Sequence, residues 1–140
     1  MSSLANAAPS RSSKLLNAVL WVAQTLVFVG FVIIGWMKLF KPIPELAAMW
    51  AWTGQLPAAV VRGLGIIDIA GGVGIFLPAL TRIKPGLTVL AAIGCVALQI
   101  CAMTFHISRG EIAAIPVNVI FLALSVFTLW GRRVQPVRPR

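Results

Sequence analysis

The hydrophobic pattern of the chain consists of four long apolar segments, separated by short connectors rich in charged and turn-forming residues. The segments cover residues 15–37, 57–80, 86–107 and 112–130. Each has about the 20 residues that an α-helix needs to cross a bilayer. The pattern predicts an all-α fold, an integral membrane four-helix transmembrane bundle over residues 15–132. Residues 1–14 are predicted to form a disordered cytoplasmic N-terminus, and residues 133–140 a basic cytoplasmic tail.

The connector between the first two segments is longer than the others and contains Pro42, Pro44, Trp50 and Trp52. We expect a short helix over residues 45–52 that lies at the membrane interface, with its tryptophans at headgroup level. Two interpretations of this connector remain open. It is an anchoring loop, or it is a lid over a site between the spans.

Composition supports a membrane location. Hydrophobic residues make up 59% of the chain and charged residues 11%, which is more apolar surface than a soluble core can bury. The net charge of +9 is spread over connectors and the tail, where basic side chains direct topology and contact anionic lipids. No basic stripe with stacking aromatics is present, so we expect no nucleic-acid partner.

The basic residues also predict an orientation. Eight of the twelve Lys and Arg residues lie on one side of the predicted bundle, which we expect to be cytoplasmic: Arg11, Lys14, Arg82, Lys84, Arg132, Arg133, Arg138 and Arg140. Lys38, Lys41, Arg62 and Arg109 lie on the other side. The prediction is a multi-pass protein of the plasma (inner) membrane with an uncleaved first span and both termini cytoplasmic.

Asp68 is the most informative residue, because the apolar run over residues 63–78 carries no other charge. Burying an unpaired carboxylate costs several kcal/mol, so such a group usually has a partner and a function. The chain has only three acidic residues, and the other two, Glu45 and Glu111, lie in predicted connectors. A purely structural pairing of Asp68 with Lys38 or Arg62 is the simpler alternative.

The predicted topology brings one polar residue from each span into the outer leaflet: Lys38, Asp68, His106 and Asn118. We interpret Asp68, Lys38 and His106 as a proton relay with catalytic roles. The predicted ligand-binding residues are Gln99, Asn118, Gln24, Trp50 and Trp52, and no metal site is predicted. Each residue also has a simpler interpretation. Lys38 would extend its ammonium to the lipid headgroups, His106 would be an interfacial histidine, and the amide side chains would form interhelical hydrogen bonds.

A carboxylate, an amine and an imidazole close together shift one another's pKa and relay protons. A flat apolar ligand with carbonyl oxygens, such as a quinone headgroup, fits such a pocket, and a small lipophilic thiol also fits. The chain has one histidine, and Cys95 and Cys101 are six positions apart on one predicted helix, so we interpret the cysteines as packing residues. Any redox role therefore requires a bound quinone or a partner subunit.

Several short motifs, in order and spacing, resemble the DoxX and DoxX-like family of small four-span membrane proteins. They cover residues 16–132 and are Trp21-x-x-Gln24, Gly35-x-x-Lys38-Leu-Phe, Arg62-x-x-Gly65-x-x-Asp68-x-x-Gly71, Pro78-Ala-Leu-Thr, His106, Asn118 and Gly131-Arg132. In that family the acidic residue of the second span is usually Glu. Since Asp68 is one methylene shorter, the resemblance leaves room for a water between it and Lys38.

The resemblance implies the fold more strongly than it implies a function. Some members resemble the membrane subunit of a thiosulfate:quinone oxidoreductase, others belong to thiol-redox complexes, and distant animal relatives act as assembly chaperones. We therefore expect a redox-associated membrane subunit that binds a quinone-like or small apolar ligand, with a redox partner subunit. A non-catalytic scaffold or chaperone is the alternative. A small transporter is the third, and it would require a homo-oligomer.

Overall fold

A computed structural model of the protein describes residues 8 and 10–140. All regular structure in these residues is helical: α1 (Arg11–Phe40), α2 (Ile43–Met49), a 3₁₀ helix (Ala51–Gly54), α3 (Ala58–Thr81), α4 (Leu87–Ser108), a second 3₁₀ helix (Ile112–Ala114) and α5 (Ile115–Val134). The prediction of an all-α fold is confirmed.

Within this described part, α1, α3, α4 and α5 are the helices long and apolar enough to cross a membrane. They form a ring in which α1 packs against α3 and α5, and α4 packs against the same two helices. Each helix is thus antiparallel to the next, as in an up-down-up-down bundle with short connections. We call the end with the C-terminus of α1 the Lys38 end, and the end with the N-terminus of α1 the Arg132 end.

The first helix is longer than the hydrophobic pattern predicts. It begins at Arg11, because the Ser10 hydroxyl accepts a hydrogen bond from the Ser13 backbone N–H at 3.1 Å and caps the first turn. Residues 11–14 are therefore helical and not disordered, which corrects that part of the predicted N-terminal boundary. Residues 1–7 and 9 lie outside the described residues.

The connector after α1 contains the predicted short helix, displaced slightly toward the N-terminus. Helix α2 has proline in its first turn, where the missing N–H costs nothing, and it ends at Trp50, whose backbone is extended with φ −136°. The 3₁₀ helix follows directly. Leu46 and Thr53 are both fully buried, so this segment is fastened to the bundle at two points.

The bundle presents many large apolar side chains outward, while its interior combines apolar side chains with small and polar ones. On α1 the outward face is a stripe with a spacing of three or four residues: Leu15, Val19, Val22, Leu26, Val29, Ile33, Trp36 and Phe40. The inner core is built around Val27, Phe31, Ile75, Ala92 and Cys95. This distribution suits lipid, since packing of small residues, and not the hydrophobic effect, holds membrane helices together.

Candidate functional site

An ion pair joins α1 to α3 near the Lys38 end. The Lys38 Nζ donates to Asp68 Oδ2 at 2.7 Å, and the two side chains are only 13% and 8% exposed. Because both charges are withdrawn from water, removing one partner would leave the other uncompensated. The structure thus places Lys38, and not Arg62, against Asp68.

Two glycines let α1 and α3 approach closely enough for this contact. A Cβ on Gly35 would lie 2.6 Å from the Gly65 carbonyl oxygen, and a Cβ on Gly65 would lie 2.8 Å from the Gly35 carbonyl oxygen. Lys38 and Asp68 leave their helices beside this crossing. Because the backbones are so close, the short Asp68 side chain reaches Lys38 directly, without the bridging water for which the sequence left room.

Arg62 does not pair with Asp68 but binds the C-terminal end of α1. Its Nη1 donates to the carbonyl oxygens of Lys38 and Lys41 at 2.6 and 2.7 Å. The last carbonyls of a helix have no intrahelical partner and carry partial negative charge. Arg62 therefore caps the C-terminus of α1 and fixes the start of the connector that follows.

The end of α4 brings Glu111 back against His106. Gly110 adopts the left-handed conformation with φ +73°, the Glu111 N–H donates to the His106 carbonyl at 2.9 Å, and the Gly110 N–H donates to the Ile107 carbonyl at 3.1 Å. This is the Schellman pattern, in which the side chains of the first and last residues meet. Here the meeting is polar, because His106 Nδ1 lies 2.8 Å from Glu111 Oε2.

Arg109 extends this contact into a network. Its Nε donates to the other Glu111 oxygen, and its Nη2 donates to Gln55 Oε1 in the connector after the first 3₁₀ helix. The hydrogen bond from Arg109, followed by the one from His106, holds the pKa of Glu111 below its ordinary value. Glu111 is therefore a carboxylate at neutral pH, and Arg109 links the α4–α5 connector to the segment that contains α2 through Gln55.

Trp52 lies between the two polar groups. The Lys38 Nζ is 5.4 Å from the centroid of its ring, which is cation–π distance, and the His106 ring meets it edge-on at 6.3 Å. The 3₁₀ helix holds Trp52 in place, with the Thr53 hydroxyl donating to the Trp50 carbonyl at 2.8 Å. One aromatic ring thus contacts the ion pair on one side and the imidazole on the other.

These groups border a cavity of about 490 Å³ at the Lys38 end. Ligand pockets commonly have volumes of about 300–1,000 Å³ and combine apolar walls with a few polar groups. The lining residues come from α1, α2, both 3₁₀ helices, α4, α5 and the residues that connect them: Ile34, Lys38, Met49, Trp50, Ala51, Trp52, His106, Glu111, Ala113, Ala114, Val117 and Asn118. The arrangement can hold a small apolar molecule against an ammonium, an imidazole and an amide.

Five of the predicted site residues line this cavity, namely Lys38, Trp50, Trp52, His106 and Asn118. The Asn118 amide donates to the Ala114 carbonyl at 3.0 Å, one turn earlier on α5. Asp68 and Gln99 are not among the lining residues. Asp68 lies behind Lys38, while Gln99 is 5% exposed on the inner face of α4, with its carbonyl oxygen unpartnered among the described residues.

Gln24 is the predicted ligand-binding residue that lies farthest from the cavity. It precedes Lys38 by about four helical turns, or about 21 Å along α1. Residues seven positions apart share a helix face, but they lie at different depths along the helix. Its Nε2 donates to the Ile75 carbonyl at 2.7 Å, and its Oε1 accepts from Arg132 Nε at 2.7 Å. Gln24 therefore bridges α1, α3 and α5 at the Arg132 end and is not among the residues that line the cavity.

Arg132 is the centre of that second polar cluster. It is 2% exposed, its Nη1 donates to Asn17 Oδ1 at 2.9 Å, and its guanidinium lies 5.2 Å from the Trp21 ring centroid. From sequence, Arg132 was predicted to be one of the topology charges of the connectors and tail. Its burial against amide oxygens has no local sequence signal except the presence of Asn17 and Gln24.

Glu111 and Arg109 were not among the predicted site residues, because both were assigned to a connector. The sequence nevertheless contains a signal for the contact between Glu111 and His106. Gly110 follows a helix that ends with His106, and glycine in that position favours the turn that brings residues five apart together. The opposite charge types at His106 and Glu111 then indicate a contact.

A multi-pass membrane protein with four apolar helices is the class that this fold defines. Comparison with protein families finds that the model of the DoxX-like family matches residues 22–128. The chain therefore belongs to the DoxX-like family, which confirms the resemblance drawn from its motifs. Searches among curated proteins and among solved structures find no match.

Proposed function

We propose that this protein binds a flat, lipid-soluble ligand of the quinone type in the cavity at the Lys38 end, as the membrane subunit of a redox-associated assembly. The observation that carries the proposal is the cavity itself. Its apolar walls, including Trp50 and Trp52, lie beside the Lys38 ammonium, His106 and Asn118. An apolar ring with polar substituents matches such a lining.

Each polar group has a part in this proposal. Lys38 donates hydrogen bonds to a ligand oxygen, while Asp68 keeps the ammonium in place and compensates its charge at 2.7 Å. Asn118 orients the ligand from α5. The proton relay through Asp68, Lys38 and His106 remains part of the proposal, with Asp68 acting through Lys38 and not by contact with the ligand. Electrons come from the ligand or from a partner subunit.

The proposal includes an orientation. The Arg132 end carries eight of the twelve basic residues, and all three acidic residues lie toward the other end. Retention of positive charge in the cytoplasm would therefore put both termini inside and open the cavity near the outer face of a plasma membrane. Cysteine-accessibility labelling in intact cells at Lys41 and at Arg138 replaced by cysteine tests this point, and labelling of the Arg138 position alone by an impermeant reagent would contradict it.

The experiment for ligand binding is extraction in mild detergent, followed by mass spectrometry of the co-purifying small molecules. Trp52→Ala opens the cavity wall, whereas Trp130→Ala changes a tryptophan that is 55% exposed on α5 and serves as the matched control. We expect an apolar ligand in the wild type and in the control, with a clear loss in Trp52→Ala. Equal amounts in all three samples, or no ligand in any, would contradict the proposal.

A scaffold is the second candidate, and one feature of α5 favours it. A shallow apolar groove of about 540 Å³ runs along its outward face over Val119, Leu122, Ala123, Val126, Phe127 and Trp130. A partner helix would fill such a groove by close packing. Ala123→Trp would then abolish co-purification of a partner while leaving ligand content unchanged, whereas the ligand-binding proposal predicts no such loss from this substitution.

A further inference from the structure

The polar groups around the cavity differ in what they still offer to a ligand. His106 Nδ1 lies 2.8 Å from Glu111 Oε2, and a carboxylate can only accept a hydrogen bond. The hydrogen bonds from Arg109 and His106 lower the pKa of Glu111, so the carboxyl group is ionised at neutral pH. The shared proton therefore resides on Nδ1, as in other carboxylate–histidine pairs.

This tautomer decides the character of the second ring nitrogen. When Nδ1 carries the proton, neutral imidazole presents a lone pair at Nε2. In the part of the chain that the structure describes, no hydrogen bond to Nε2 is formed, and the His106 side chain lines the cavity. In this neutral form His106 offers the cavity a hydrogen-bond acceptor at Nε2.

Lys38 supplies the opposite function on the other side of Trp52. Its ammonium has three N–H groups, one of which is directed to Asp68. A hydroxyl or carbonyl oxygen of the ligand can accept from Lys38, whereas only a ligand O–H can donate to His106. The charged groups that face His106 are Glu111 and Arg109 from the α4–α5 connector and Lys38 from α1, with Asp68 behind Lys38.

We infer that the His106–Glu111 pair forms a subsite that accepts a hydrogen bond from a hydroxyl group of the ligand. The ligand class is therefore a ring-borne diol, the hydroquinone form, in preference to a molecule that carries only carbonyl or ether oxygens. This inference rests on the proposed function, since it specifies the ligand of the same cavity. Glu111 and Arg109 are positioning residues that act through the imidazole.

Three probes of the same ring test the inference: a tetramethyl hydroquinone, the corresponding quinone and the hydroquinone dimethyl ether. The ether keeps the ring and both oxygens, and methyl groups replace the two hydroxyl protons, so it can no longer donate a hydrogen bond. Binding to detergent-solubilised full-length protein is measured by equilibrium dialysis under anaerobic conditions. The readout is the ratio of the hydroquinone and ether dissociation constants, compared between wild type and variants.

We expect the wild type to bind the hydroquinone about tenfold more tightly than the ether, the effect of one good hydrogen bond. His106→Phe keeps a ring in place and should reduce this ratio to near one while the ether still binds. Glu111→Gln keeps the imidazole but removes the charge that fixes its tautomer, so its ratio should be intermediate. Thr104→Val, on the exposed face of α4, is the control and should match the wild type.

The outcomes separate the two proposals. If all three probes bind the wild type and the ratio is the same in His106→Phe, the hydroxyl subsite is wrong and the ligand pocket stands. If no probe binds the wild type, both the proposed quinone-type pocket and the proposed hydroxyl subsite are wrong. Should His106→Phe fail to fold, the ratio in Glu111→Gln decides, since an unchanged ratio there contradicts the role of the pair.

Discussion

Each end of the bundle contains a buried positive charge, and the two charges have different kinds of hydrogen-bond partner. At the Lys38 end the ammonium is paired with a carboxylate, because Lys38 and Asp68 lie 2.7 Å apart. At the Arg132 end the guanidinium is held by the neutral oxygens of Gln24 and Asn17 at 2.7 and 2.9 Å. Within the described residues, Arg132 has no carboxylate partner.

This difference separates a site from a structural cluster. At the Arg132 end the hydrogen bonds hold helices together, since Arg132 connects α5 to α1 and Gln24 continues the connection to α3, although Arg132 Nη2 has no partner among the described residues. At the Lys38 end, paired charges border a cavity of about 490 Å³, and N–H groups and a ring nitrogen remain for a ligand. Buried polar residues alone therefore do not indicate a ligand site, whereas buried polar residues beside open volume define a candidate site.

The largest expected effect comes from breaking the charge pair. Asp68→Asn should lower the free energy of unfolding by about 3–5 kcal/mol, because the ammonium of Lys38 would be left buried and uncompensated. Thermal unfolding in detergent measures this. The double variant Asp68→Asn with Lys38→Met removes both charges and should recover at least half of the loss, and a double variant no more stable than the single one would contradict the pairing.

The next effect concerns the helix crossing that brings the pair together. Gly65→Ala places a methyl group 2.8 Å from the Gly35 carbonyl oxygen, so α1 and α3 must separate, at a cost of about 1–3 kcal/mol. Gly63→Ala is the matched control, since its Cβ would meet nothing within 4 Å. The control should gain about 0.5–1 kcal/mol from helix propensity. Equal thermal midpoints for the two variants would rule out a tight crossing.

A smaller effect is expected at the opposite end. Arg132→Lys keeps the charge but cannot reach Gln24 and Asn17 together, so it should cost about 1 kcal/mol for the lost hydrogen bond. Arg133→Lys changes the neighbouring exposed residue and should have no measurable effect on the unfolding midpoint. If both lysine variants behave alike, the amides do not hold the guanidinium.

The smallest effect is a pH dependence at the Lys38 end. The folded-state pKa of Glu111 is lowered, first by its hydrogen bond to Arg109, so its contribution is complete above the ordinary glutamate pKa and is lost as pH falls through the folded value. The wild type should thus lose more stability than Glu111→Gln when acidified from neutral pH to about pH 3. Glu45→Gln, at an exposed ion pair with Lys41, is the control and should follow the wild type.

Much of the fold could be predicted from sequence because membrane helices must satisfy their own backbone groups. The four apolar segments agree with α1, α3, α4 and α5 to within a few residues at most ends. The largest differences, of four residues each, are at the start of α1, where the Ser10 cap extends the helix to Arg11, and at the end of α5, which continues to Val134. A hydrophobicity pattern cannot detect an extension made of polar residues.

The candidate site was predicted only in part. The side of the bundle that carries Lys38, His106 and Asn118 follows from topology and position, and these residues do line one cavity. Helical phase misassigned Gln24, because a shared face contains no information about depth. Glu111 and Arg109 were missed because the turn at Gly110 folds a connector back onto the helix.

The sequence by itself determined the family, through the order and spacing of its motifs, and the spans, through the length of an apolar helix that crosses a bilayer. Only the tertiary structure decided which charges pair. Asp68 meets Lys38 directly because Gly35 and Gly65 allow two backbones to touch, and Arg132 is buried because amides from α1 lie opposite α5. Such contacts depend on distances between helices, and these are fixed only when the helices pack.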